Sequence, residues 1–167
     1  MLRLACLCCL LLLSEAAFGQ TRKGIYVGSF DGDQVKAKVM VRGRTVVRAY
    51  RLAGIDAPEV RGHQPGWQAA RDALRTRLAR QVVDIELRGY DTKWKRQLAI
   101  VRIDGRDIGF ELVVTGQAWF YKNYSRSLTA RERIIYEAAQ AKAQADKAGV
   151  WAAKRQIAPW QWRRGKR

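Results

Sequence analysis

Acidic residues are scarce in this chain, so the places where they gather are the first clue to its chemistry. Of 167 residues, 15 are Asp or Glu against 32 Lys or Arg. Asp31 and Asp33 flank one glycine, and Asp56 and Glu59 flank Ala57-Pro58. Carboxylates held close together are costly unless a cation or an arginine offsets them. If both groups meet at one edge of a sheet, the donors are all oxygen, which suits a hard ion such as Ca2+, Mg2+ or Mn2+. Asp-Gly-Asp is also ordinary turn chemistry, and for Asp31 that reading stands beside the first. Arg51 lies five residues before Asp56 in a mostly apolar stretch. An arginine there needs an anion, either a carboxylate such as Glu59 or Asp33 or a bound phosphate. Arg96 directly follows Lys93-Trp94-Lys95, a basic and aromatic cluster suited to phosphate and base contact.

Other chemistries are excluded by what is missing. His63 is the only histidine, and Cys6, Cys8 and Cys9 are the only cysteines. A Ser-His-Asp triad would need His63 as its base, and no nucleophile-elbow sequence is present. His63 is expected to be an exposed loop residue. Residues 1–19 combine a short basic start, an apolar run too short to span a membrane and the small-x-small end Ala17-Phe18-Gly19. They are read as a secretory signal peptide with cleavage before Gln20. That would remove all three cysteines and rule out a His/Cys zinc site. It would also remove one base, Arg3, and one acid, Glu15, leaving the net charge of +17 in place. Such a charge on a small domain far exceeds what solubility asks for and points to a polyanionic partner, nucleic acid first.

The elements that position these residues follow from pattern. Residues 25–30, 35–41 and 45–55 read as a three-stranded meander joined by Asp31-Gly32-Asp33 and Arg42-Gly43-Arg44. Pro58 breaks it. Trp67, Ala70, Leu74 and Leu78 recur at helical spacing, placing a helix over 65–80 with Pro65 in its first turn. Residues 82–87 and 97–103 are strands, and 108–115 form a short helix stopped by Gly116. Thr129-Ala-Arg-Glu132 is a capping box that starts a long helix. Its buried stripe is read as Ile134, Ala138, Ala141 and Ala145, and Gly149 ends it. Residues 152–167 form a basic tail expected to lie over the surface or remain mobile. Five short strands and about three helices predict an α+β fold built on a five-stranded Greek-key barrel of the OB type.

The segment Arg51-Leu-Ala-Gly-Ile-Asp56-Ala-Pro-Glu59 resembles the signature of the staphylococcal nuclease (thermonuclease) family. The similarity extends through Phe30-Asp-Gly-Asp33, Arg96-Gln-Leu-Ala-Ile-Val, Gly116-Gln-Ala and Gly149-Val-Trp151, which places the domain at 20–151. The resemblance implies an OB-fold endonuclease that hydrolyses DNA and RNA with Ca2+. It implies Asp33 and Asp56 as metal carboxylates, the Ala57 carbonyl as a further ligand and Asp31 in the outer shell. Glu59 would handle the attacking water, and Arg51 and Arg96 would hold the scissile phosphate. Replacing Arg51 by Lys is then expected to lower turnover and spare the fold. Lys93, Trp94, Lys95, Tyr121 and Tyr124 are expected to contact substrate. The chain departs from the family's common Thr with Ala57, and from its common Tyr-Gly with Trp94-Lys95.

These readings combine into an exported, periplasmic or extracellular, Ca2+-dependent nuclease. It is expected to be a monomer without a stable membrane anchor, to act with little sequence preference and to favour single strands. The alternative is a non-catalytic OB-type module that binds nucleic acid. A third reading takes Asp84-x-Glu86-x-Arg88 as a metal-nuclease pattern on another strand, although Arg88 cannot replace the lysine base such a pattern needs.

Overall fold

A computed structural model describes residues 19–165; the proposed signal sequence, residues 1–18 of it, lies outside the described residues. Strand β1 (Thr21–Gly28), β2 (Gln34–Val41) and β3 (Arg44–Leu52) form the expected antiparallel meander. In β2 the alternation is strict: Val35, Ala37 and Val39 are buried, and Lys36, Lys38 and Met40 face outward. A two-residue strand β4 (Ile55–Asp56) follows, and then helix α1 (Trp67–Leu78). Strands β5 (Val82–Asp91), β6 (Arg96–Ile103) and the two-residue β7 (Arg106–Asp107) complete the sheet, whose order is β3-β2-β1-β5-β6-β7. Parallel pairing of β3 with β6, Arg51 opposite Leu98, closes it into a five-stranded barrel.

The barrel is an OB-type α+β fold, as the sequence predicts. Its core holds Val35, Val39, Tyr50, Leu52, Ile85, Ala99 and Val101, and α1 plugs one side with Ala70, Leu74 and Leu78. Helix α1 starts at Trp67, after a left-handed Gly66, so Pro65 precedes the helix instead of lying in its first turn. Strand β5 runs four residues beyond the expected end. A bulge between Leu87 and Gly89 lets it bend and continue to Asp91.

After β7 (Arg106–Asp107), helix α2 (Ile108–Val114) is capped by Asp107, which accepts from the Phe110 N–H at 3.2 Å. The two-residue β8 (Trp119–Phe120) pairs with β4, setting Asp56 opposite Trp119. A 3-10 turn (Lys122–Ser127) leads into α3 (Ala130–Ala145), whose capping box is formed as expected. The buried stripe of α3 is not the expected one. Ile134 is 69 % exposed, and Ala138, Ala141 and Ala145 are exposed too. The face turned inward carries Glu132, Tyr136, Ala139, Gln140 and Ala143. It was hidden because its contacts are polar: Tyr136 Oη donates to Asp107 at 2.8 Å, and the Phe120 N–H donates to Gln140 Oε1 at 2.8 Å.

Arg88, 5 % exposed, joins the barrel to α3 through Glu132 (2.6 Å) and Glu86 (2.7 Å). Asp84 pairs separately with Lys23 at 3.0 Å. The Asp84/Glu86/Arg88 set is therefore a structural ion-pair network on the barrel wall. Burial alone would raise the Glu132 carboxyl, but Arg88 and the helix cap outweigh it and lower it to about 2. A carboxyl depressed on folding adds stability above its unfolded value, and that stability is lost as pH falls through the folded value. Glu132→Gln is thus expected to be less stable than wild type at pH 7. The gap should close between about pH 4.5 and pH 2 in urea melts followed by circular dichroism. A gap independent of pH would refute the ionic contribution.

A second 3-10 turn (Gly149–Ala152) and a short helix α4 (Pro159–Trp162) end the described chain. The segment after Trp151 is not a loose tail. Ala158 and Pro159 are buried, with Ala158 in a cluster formed by Trp119, Ala143 and Trp151.

Candidate active site

The loop between β1 and β2 carries Asp31 and Asp33. The Leu52 N–H donates to the Asp33 carbonyl at 2.9 Å, so this loop is tied to the end of β3, where Arg51 stands opposite Gln34. Gly32 is needed for close approach, since a Cβ there would lie 2.8 Å from the Ala70 Cβ and 2.9 Å from the Ala57 Cβ. That contact brings the Asp-Gly-Asp turn against the chain leaving β4. Asp33 then accepts from the Ala57 N–H at 2.8 Å. The parallel β3–β6 pairing sets Arg96 on the same rim as Arg51, at the top of a hairpin tightened by Trp94 N–H donating to Asp91 at 3.1 Å.

These residues line one cleft of about 700 Å³. Its wall includes Asp31, Asp33, Arg51, Asp56, Ala57 and Glu59, together with Lys93, Trp94, Arg96, Tyr121 and Tyr124. Of the expected site residues only Lys95 is not part of that wall; it takes a left-handed turn conformation (φ 50°). His63 is an exposed loop residue, as expected, and packs against Trp67.

Arg51 is buried and divided between two carboxylates. Its Nη1 lies 2.6 Å from Asp33, and its Nη2 lies 2.6 Å from Asp56. Burial pushes the Asp33 carboxyl up to about 7, against the opposing pull of Arg51. Burial likewise raises Asp56 and Glu59. For Arg51, burial favours the neutral form, but Asp33 and Asp56 outweigh it and hold the guanidinium charged. Burial is thus the main cause of the raised carboxyls, and the neighbouring arginines offset it only in part. Arg96 is held more loosely, 3.5 Å from Asp91, with a third of its side chain exposed. Its guanidinium also lies over the Trp94 ring, 5.9 Å from the centroid.

The donor chemistry suits a hard divalent cation: two buried carboxylates facing one guanidinium, a third carboxylate in Glu59, and oxygen donors throughout. Among the described residues, no three or more Asp, Glu, His or Cys side chains are already grouped as a metal cage. A cation would share Asp33 and Asp56 with the Ala57 carbonyl and water.

Two participants were not foreseen. Gln64 is 2 % exposed; its Oε1 accepts from the Glu59 N–H at 3.0 Å, and its Nε2 donates to the Ile157 carbonyl at 2.7 Å. Arg163 reaches in from the C-terminal segment and pairs with both Asp56 and Glu59. Its Nη2 lies 2.8 Å from Asp56 Oδ2. Nothing in the sequence marks either residue: Arg163 meets acids more than a hundred residues earlier, and Gln64, though five residues from Glu59, finds its second partner at Ile157. The aromatic wall is also occupied in an unexpected way. Tyr121 is sandwiched between Tyr124 (4.9 Å) and Trp160 (4.5 Å, 3° between planes). Of the cleft's aromatic side chains, Tyr124 is 39 % and Trp94 56 % exposed, whereas Trp160 is half-buried against the Trp119, Ala143 and Trp151 cluster.

An OB-type barrel with an acidic, arginine-rimmed cleft at its edge defines a domain of the nuclease class. Residues 49–153 match the family described as staphylococcal nuclease homologue, and the chain belongs to that family. It is 36 % identical over 134 residues to an uncharacterized endonuclease of Haemophilus influenzae, covering 80 % of this chain and 68 % of that protein. It is 35 % identical over 135 residues to a probable staphylococcal-like nuclease, CAN4, of Oryza sativa subsp. japonica, covering 78 % of this chain but only 25 % of that longer protein. An uncharacterized endonuclease of Escherichia coli O157:H7 is 27 % identical over 143 residues, covering 86 % of each chain.

Proposed function

We propose that this chain is an exported, Ca2+-dependent nuclease that hydrolyses phosphodiester bonds in DNA and RNA with little sequence preference. The observation that carries the reading is the convergence of Asp33, Asp56, Glu59, Arg51 and Arg96 on one cleft. Asp33, Asp56 and the Ala57 carbonyl would hold the cation, with Asp31 in its outer shell. When bound, the cation supplies charge stabilisation to the phosphate oxygens. Glu59, part-exposed at the cleft and lifted by burial, accepts the proton of the attacking water. Water oxygen then bonds to phosphorus as the bond to the leaving oxygen breaks, and the leaving oxygen takes a proton from solvent water. Arg96 is placed to stabilise the charge that develops on the phosphate. Arg51 holds Asp33 and Asp56 in register and presents its charge to the same phosphate. Lys93, Trp94, Tyr124 and Trp160 provide basic and aromatic contact for a single strand.

The positive charge of +17 would draw the polyanion to this cleft. Incubating the protein with single-stranded DNA and with RNA, with and without Ca2+, is expected to give cleavage of both only with the ion. Raising salt should weaken binding steeply and almost independently of sequence. Binding without cleavage at any divalent ion would leave a nucleic-acid-binding module. For export, the measurement is N-terminal sequencing of protein from the periplasm and medium, with Gln20 as the expected first residue.

A further inference from the structure

The C-terminal segment is fastened to the cleft from outside the acidic cluster. Gln64 Nε2 donates to the Ile157 carbonyl at 2.7 Å, and Ala158 and Pro159 are buried beside Trp151. Trp160 stacks flat on Tyr121, and Trp162 Nε1 donates to the Arg61 carbonyl at 3.4 Å. From these anchors one side chain enters the cluster. Arg163 Nη1 lies 3.2 Å from Asp56 Oδ1, Nη2 lies 2.8 Å from Asp56 Oδ2, and Nη1 also binds Glu59 Oε1. With Arg51 already on Asp56 Oδ1, both oxygens of Asp56 are engaged by guanidinium groups. The one carboxylate at the cleft offered for proton transfer is engaged as well.

This arrangement makes Arg163 a rival of the cation. A guanidinium and a divalent ion repel one another at short range and need the same Asp56 oxygens. Arg163 also holds Glu59, the group that must be free to take a proton. Its place is set by a short helix whose fixation does not depend on Asp56. The guanidinium can therefore leave the acids while the segment stays anchored at Ile157–Trp160.

Building on the nuclease reading, we propose that residues 157–163 are an internal latch. Arg163 stands in for the cation on Asp56 and closes Glu59 in the resting protein, and cation binding expels it. Opening loosens the helix end at 162–165 and leaves the anchor at Ile157–Trp160 in place. The cleft changes only in which positive group its carboxylates hold. The latch keeps Asp56 and Glu59 paired in the resting protein and makes activation depend on the cation level.

The test is calorimetric titration of Ca2+ into the whole protein, without nucleic acid. Wild type is compared with Arg163→Gln and with Arg155→Gln, which removes the same charge from an exposed position between Trp151 and α4. Arg163→Gln is expected to bind Ca2+ at least about fivefold more tightly, in the usual range of coupling between competing sites. Arg155→Gln should stay within about twofold of wild type, as screened surface charge allows. Amide hydrogen exchange supplies a second readout. Ca2+ should speed exchange at 162–165 in wild type and have no further effect there in Arg163→Gln. Equal Ca2+ affinity in wild type and Arg163→Gln, with digestion intact, overturns the latch and leaves the nuclease reading standing. Failure of both proteins to bind Ca2+ overturns the cation reading and the latch with it.

Discussion

Replacing Glu59 by Gln should cut turnover on single-stranded DNA by about 10²–10⁴-fold and leave the fold unchanged. Glutamine matches glutamate in size and keeps an acceptor oxygen for Arg163, so the loop geometry set by Gln64 persists. What it loses is the ability to take a proton from water. The measurement is kcat and KM at saturating Ca2+, with a thermal melt for each variant, and the loss should fall on kcat. Glu86→Gln is the contrasting control. Glu86 pairs with Arg88 and Arg102 on the barrel wall, so its loss should reduce stability and leave kcat within about twofold. If Glu86→Gln abolished activity and Glu59→Gln did not, the chemistry would belong to β5. Arg51→Lys differs from both. A lysine cannot reach Asp33 and Asp56 together as the 2.6 Å fork does. The expectation that this change would spare the fold no longer stands, because it breaks a buried link between two carboxylates.

The site was legible in the sequence wherever its signal was local. Asp33, Asp56 and Glu59 stood out because acids are rare in this chain, and Arg51 because an arginine in an apolar strand needs an anion. The β2 strand was legible for the same reason: its buried face alternates with Lys. The misreadings at α3 and the C-terminal segment share one cause, that polar residues were assigned to solvent. Tyr136, Gln140 and Glu132 turn inward on α3 because Asp107, the Phe120 amide and Arg88 satisfy them. The apolar count therefore chose the wrong stripe. The segment beyond Trp151 reads as a solvated tail, with six bases and no acid. One of those bases nevertheless meets the acids at Asp56 and Glu59, more than a hundred residues earlier. Composition cannot show that a charge is paired when its partner lies so far away. Gln64 was hidden because a neutral amide in a Gly/Pro-rich loop reads as solvated, whereas its two bonds link Glu59 to the distant Ile157.

Gly116→Ala should destabilise the protein by about 2–5 kcal/mol, the sum of left-handed strain and a backbone overlap. Gly116 (φ +66°) is left-handed and follows the end of α2, whereas Gly149 (φ +52°) is left-handed and opens the second 3-10 turn instead of ending α3, which stops at Ala145; there the two segments meet backbone to backbone. A Cβ on Gly116 would lie 2.1 Å from the Ala148 carbonyl oxygen, and one on Gly149 would lie 2.3 Å from the Gly116 oxygen. No flexible side chain can yield at either point. The Val150 N–H donates to the Gly116 carbonyl at 2.9 Å across the same contact, so pushing the strands apart breaks a hydrogen bond too. The melting temperature should fall by roughly 5–15 °C. Gly105→Ala separates the two causes, because Gly105 has φ +76° and open space around its Cβ. It should lose only the conformational part, about 1–2 kcal/mol. The damage at Gly116 should also reach the cleft. Trp151, two residues after Gly149, packs on Trp119 at 5.0 Å, and Trp119 pairs with Asp56 across β8 and β4. At a temperature where it is still folded, Gly116→Ala should therefore bind Ca2+ more weakly, whereas Gly105→Ala should bind it as wild type does. Equal destabilisation by the two changes would mean that the α2–α3 contact absorbs the overlap, and the proposed link from these glycines to the site would be wrong.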